Sequence, residues 1–180
     1  QDIIFAQAQP ADELHALHGR HVGMKVAHPH FHASQVLGER FRHSLGEGRH
    51  QYAVAGLDLS QTTDLTAAVC IVERDGKLHT FAHFWMPAEK IEEAAARDGV
   101  PYKAYVARGF LSPSGDNFVN YRDVFQWFAD LIEKYKIYSL KVGYDRYSAA
   151  YLVQDMTAYG YNMDDVYQGE NLTPVINEVD

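Results

Sequence analysis

Residues 51–86 hold three apolar runs of strand length with almost nothing between them: "QYAVAGLDLS", "LTAAVCIVER" and "KLHTFAHFWM". Asp75-Gly76 alone separates the second from the third. That pair is a strong short hairpin signal, because both central positions of a type I′ turn require positive φ. The first run ends in Asp58 and a Gln-Thr-Thr turn that closes at Asp64. Spacing this tight leaves no room for crossovers, so the three strands are expected to form an antiparallel meander. The run "YAVAGLDLS" reads as a buried strand, in which a carboxylate between Leu57 and Leu59 needs compensation.

Beyond residue 86 the spacing opens. "PAEKIEEAAARDG" reads as a helix from Pro87 to a stop at Gly99, and "PYKAYVARGF" as a short helix closed by Gly109. "LSPSGDNFVN" is a loop with one short strand. "NYRDVFQWFADLIEKYK" is the clearest helix: Asn120 caps it, and Val124, Phe125, Phe128, Leu131, Ile132 and Tyr135 form one apolar face. "IYSLKVGYDRY" is a strand ending in Asp145. Ser148 then starts a helix with Leu152, Val153, Met156 and Tyr159 on one face, stopped by Gly160. "DDVYQG" is a short strand, and Thr173-Pro174 opens a further helix whose apolar stripe is expected to continue past Asp180.

Strands joined through helices suit parallel crossovers. The simplest assembly is an α/β fold of three layers, α/β/α, around a mixed sheet. Its first three strands are antiparallel, the later ones parallel, the Asp145 strand lies beside the Asp58 strand, and helices cover both faces. This is a ribonuclease-H-like arrangement.

Residues 1–50 read differently. Eight of the ten histidines fall there, "HPHFH" among them, and the expectation is an atypical N-terminal segment, poorly ordered or holding short helices such as "ADELHALHGRH" and "ASQVLGERFRHSL". His28, His30 and His32 alternate without carboxylate or cysteine partners, a poor pattern for a specific metal site. The ribonuclease-H-like domain is expected over 51–180, C-terminally incomplete. One cysteine, Cys70, rules out an internal disulfide framework and any multi-cysteine zinc site. No apolar run is long enough to span a bilayer and the opening residues lack a signal-peptide pattern, so the expected location is cytoplasmic. Residues 1–50 balance five acids with five bases, so the whole net charge of −8 falls on residues 51–180. So acidic a domain needs metal ions or a basic neighbour to hold nucleic acid, since phosphate neutralisation supplies most such affinity.

In the expected sheet Asp58 and Asp145 approach each other at the strands' carboxyl ends. Two close carboxylates repel unless protonated or bridged by a cation. Oxygen donors suit Mg²⁺ or Mn²⁺, and paired ions serve phosphodiester cleavage. The competing structural reading is that each aspartate caps a turn or a helix through backbone amides, which applies most strongly to Asp64. Lys103, Arg108, Lys141 and Arg146 are the basic residues nearest these acids by sequence.

From about residue 52 onward the chain resembles the nuclease domain of phage terminase large subunits, the DNA-packaging motors of tailed phages. The resemblance rests on "GLDLSQTTDLTAAV", "FWMP", "RDGVPYKAYVARGFL", "NFVNYRDVFQWFADLIEKY", "VGYDRYSAAYLVQDM" and "QGENLTP", in that order. It implies a divalent-metal endonuclease that cuts concatemeric double-stranded viral DNA, with portal protein and small terminase subunit as partners of the full-length protein and Mg²⁺ or Mn²⁺ as cofactor. Asp58 matches the family's first catalytic acid and Asp145 the second; Asp64 stands where an acid often occurs in the first motif. The family's third acid normally follows the helix at Thr173, and neither Glu178 nor Asp180 matches it. Two alternatives remain: a catalytically inactive packing module from a defective prophage, and an actin-like ATPase fragment, which "GLDLSQTTD" resembles in its first phosphate loop but which requires a second glycine-rich loop.

Overall fold

The computed structural model describes residues 3–5, 29–46, 50–60, 64–145 and 150–166. In chain order the elements are β1 (Ile3–Phe5), α1 (Pro29–Leu45), β2 (Gln51–Asp58), β3 (Thr66–Arg74), β4 (Lys77–Met86), a 3₁₀ turn (Ala88–Lys90), α2 (Ile91–Asp98), α3 (Tyr102–Ala107), β5 (Leu111–Pro113), α4 (Tyr121–Glu133), β6 (Ile137–Asp145), α5 (Ala150–Tyr159) and β7 (Met163–Val166).

The strands form one mixed sheet in the order β1-β4-β3-β2-β6-β7, with β5 also paired to β4. β2, β3 and β4 are antiparallel neighbours, as the tight spacing requires. Asp75 and Gly76 have φ of 53° and 72°, the left-handed pair a type I′ turn demands. β6 runs parallel to β2, and β7 parallel to β6. β1 and β5 share the outer edge of β4, one against Leu78–Thr80 and the other against Phe84–Met86.

One face of the sheet carries Ala53, Ala55, Leu57, Cys70, Val72, Phe81 and Trp85, buried with residues of α1, α4 and α5 in one core. The opposite face carries Phe84 and Met86 with Leu111, packed against Ile91, Ala94 and Tyr102 of α2 and α3. Helices therefore lie on both faces, giving the three layers expected. α1 contributes Phe41 and Leu45 to the first core, and the Phe41 and Phe81 rings lie 4.1 Å apart. The possible helix "ADELHALHGRH", His28, Ser148 and the Thr173 helix lie outside the described residues.

Two local readings need correction. β2 is buried on one side only: Tyr52 and Val54, which alternate with Ala53 and Ala55, are 63% and 55% exposed. An unbroken apolar run does not reveal that only one face is covered. In α4, Val124, Trp127, Phe128 and Leu131 are the deeply buried set, while Phe125 and Ile132, with Tyr135 just past the helix end, pack at its margin. The helix packs on α5 as well as on the sheet, so its apolar arc is wider than the sheet-facing stripe. Phe125 turns to Tyr159 of α5 (ring centroids 5.3 Å apart), Tyr135 to Phe41 of α1 (4.9 Å), and Trp127 stands edge-on to Trp85 (6.1 Å). The local signals at helix ends hold: Asn120 Oδ1 accepts from Arg122 N–H at 3.2 Å, and Gly99 ends α2 at φ 66°. Pro87, in extended backbone at ψ 133°, precedes a 3₁₀ turn, and regular α-helix begins only at Ile91.

Candidate active site

Asp58 is the last residue of β2, and Asp145 the last of β6. The β2–β6 register runs through Gly56↔Gly143 and Leu57↔Tyr144, so the next residue on each strand is an aspartate. Side chains alternate along a strand, which puts Asp58 and Asp145 on one face, about one strand spacing (~4.8 Å) apart in backbone. That face is opposite the one bearing buried Leu57 and Val142. Asp58 is exposed and Asp145 half-buried. The compensation that a buried Asp58 would have needed is therefore met largely by water, and what remains distinctive is the pairing of two like charges.

The loop after β2 is held at its base. Thr66, fully buried, donates its hydroxyl to the Ser60 carbonyl at 2.8 Å and accepts from the Ser60 amide at 3.1 Å. Ser60 Oγ in turn accepts from the Asp64 amide at 3.2 Å. These bonds pin both ends of the turn, so Asp58 sits at a defined strand end. The hydrogen bond to Asp98 raises the Arg97 pKa, burial and then Asp98 raise that of Tyr102, and Asp64, exposed at the far end, is near enough to add a smaller contribution to each. The fold thus sets Asp58 beside Asp145 and Asp64 towards α2 and α3.

Sequence reasoning passed over Asp164 on β7. It pairs with Gly143, shares the face of Asp145, and is engaged by Lys141 at 2.8 Å. Lys103 is similarly engaged by Glu92. Also missed was an apolar cavity on the aspartates' side of the sheet, lined by Leu65, Phe84, Tyr102 and Tyr105 among others. The aromatic residues in "PYKAYVARGF" were the available signal. No group of three or more histidine, cysteine or acidic side chains suited to a metal occurs among the described residues. The Asp58–Asp145 pair nonetheless offers hard oxygen donors of the kind Mg²⁺ and Mn²⁺ take while keeping positions for water and phosphate. The donor set fits such an ion.

An aspartate-bearing strand between an antiparallel neighbour and a parallel one, the parallel neighbour ending in a second aspartate, with helices on both faces, defines a ribonuclease-H-like protein. Residues 46–177 match the family described as "Terminase large subunit, endonuclease domain". The chain belongs to that family. The large terminase subunit of Enterobacteria phage HK97 is 32% identical over 127 residues, 70% of this chain and 25% of that protein. The crystal structure of the HK97 bacteriophage large terminase superposes with a TM-score of 0.62 at 26% identity, covering 82% of this chain and 30% of the other. The chain thus spans a quarter to a third of the length of these relatives. Among the described residues no helix is long and apolar enough to cross a membrane.

Proposed function

We propose that this domain is a divalent-metal-dependent endodeoxyribonuclease that cuts concatemeric double-stranded viral DNA during genome packaging, with Asp58 and Asp145 as its metal-holding catalytic carboxylates. The observation that carries the reading is their placement as successive-register residues on neighbouring parallel strands, one step past Leu57↔Tyr144. A bound Mg²⁺ or Mn²⁺ would supply Lewis acidity toward the scissile phosphodiester. Asp58 and Asp145 would hold the ion, and their strand-end position leaves the exposed side open to a duplex. Asp64, turned toward Arg97 and Tyr102, has a supporting role in this reading. Double-stranded DNA is the substrate, and in the full-length protein the portal and small terminase subunit are the partners, in the cytoplasm of the bacterial host.

The test is nicking of supercoiled plasmid in Mg²⁺ or Mn²⁺. Conversion that stops with chelator and in Asp58→Ala supports the proposal. A folded wild-type domain that shifts neither metal-dependent nicking nor metal binding would instead favour the inactive packing module.

A further inference from the structure

The cavity beside α3 has a volume of about 590 Å³ and a mostly apolar, aromatic-rich lining. Its position follows from the sheet register. Asp58 pairs with Ala67, and Ala67 with Phe84, so Phe84 stands on the aspartates' face two strands away, about 10 Å from Asp58. Phe84 and Leu65 line it from the sheet side, Tyr102 and Tyr105 from α3, and Phe110 and Arg108 from the turn that follows. Tyr105 is 40% exposed, so the aromatic wall is reachable from solvent. The guanidinium of Arg40 lies 4.6 Å from the Phe110 ring centroid, adding positive charge behind that ring.

We propose that this cavity is a subsite for an unpaired nucleobase of the DNA strand held at the aspartates. The inference rests on the nuclease reading above. Two features select a base over other apolar guests. The first is the aromatic set, because every base has a π-face and stacks on tyrosine or phenylalanine regardless of sequence. The second is the charge arrangement. Of the basic residues near the site, Lys103 and Lys141 are engaged by Glu92 and Asp164, whereas Arg108 is exposed and in no ion pair with another described residue. Arg108 is therefore available to a phosphate at the rim. At the edge formed by α2, exposed Asp98 accepts from the Tyr102 hydroxyl at 3.0 Å and exposed Asp64 lies near the same tyrosine, so negative charge opposes a phosphate on that side. A nucleotide enters base first. In a domain carrying net charge −8, stacking also supplies affinity that phosphate contacts alone do not.

The experiment measures binding of fluorescein-labelled oligothymidylate, and of an abasic oligomer of equal length, to the whole chain in chelator, where no strand is cut. The expected result is tighter binding of the base-bearing strand, weakened about tenfold by Tyr105→Ala, as loss of one stacking contact implies. Tyr105→Phe should bind like wild type, and the abasic strand should ignore both changes. Arg108→Gln should weaken both strands. Circular dichroism of the variants guards against unfolding, which a half-exposed tyrosine on a short helix does not invite. Equal binding of the two strands by wild type, or oligothymidylate binding unchanged in Tyr105→Ala, overturns the proposal. Plasmid nicking run in parallel separates the readings: Asp58-dependent nicking without base-dependent binding rejects the cavity alone. Base-dependent binding without nicking retains the cavity and rejects the nuclease.

Discussion

Asp58 and Asp145 are the last residues of two neighbouring parallel strands and stand at the same level of the sheet. β3 and β7 flank them with Ala67 and Val166 in register, neither of which competes for a cation. The row across the sheet is therefore apolar, acidic, acidic, apolar, and the negative charge is concentrated at its centre.

Neutralising either aspartate should act on both activity and stability, in opposite directions. Asp58→Asn or Asp145→Asn is expected to lower plasmid nicking by about 100-fold or more, and the double variant little further, because groups that act as a unit are not additive. Without metal the same variants should be at least as resistant to urea as wild type, since one of two like charges is removed. A single variant that nicks like wild type, or one that unfolds at clearly lower urea, counts against the shared site.

Metal preference is a second expectation. With two carboxylates, Mn²⁺ should support faster nicking than Mg²⁺ at equal concentration, because Mg²⁺ demands near-ideal octahedral geometry and gives up water reluctantly. The measurement is initial nicking rate in each ion; a clear Mg²⁺ advantage would mean the ligand set is more complete than Asp58 and Asp145.

The core makes a sharper demand. Phe128 is fully buried, edge-on to Trp127 and Tyr161, and its carbonyl accepts from the Tyr161 hydroxyl at 2.5 Å. Phe128→Ala should destabilise by about 3–5 kcal/mol. Val54→Thr, on the open face of β2, should stay within about 0.5 kcal/mol of wild type. Urea titration of the pair tests which side of the sheet is core.

Alkaline pH should unfold the domain through Cys70 and Tyr161. Burial pushes the Cys70 thiol up from near 9 to about 12, and burial likewise raises the Tyr161 hydroxyl. Below pH 9 the thiol is protonated in both the folded and unfolded states and its contribution is constant. Between about 9 and 12 it ionises only in the unfolded chain, so stability falls as pH rises. Cys70→Ala should flatten part of that decline in urea midpoints measured across this range. The native thiol should also resist a thiol reagent at neutral pH and react once the chain is unfolded.

What the sequence determined by itself is whatever depends on neighbours along the chain. The Asp75-Gly76 turn, the Asn120 cap and the stops at Gly99 and Gly160 follow from positive φ and orphan amides, which a few adjacent residues settle. From β2 onward the order of strands and helices, with the aspartates at strand ends, was legible for the same reason, whereas β1 and the full length of α1 were not; the family resemblance named Asp58 and Asp145. Tertiary structure decided the rest. That Trp127 meets the sheet at Trp85 while Phe125 turns aside to Tyr159 depends on α5 packing beside α4. That Tyr52 and Val54 meet solvent depends on which face the helices cover. Asp145 meets Asp58 from far along the chain while Asp64, close in sequence, turns toward Arg97. Strand register, not sequence separation, sets which side chains share a face, and register is a property of paired elements that no single segment contains.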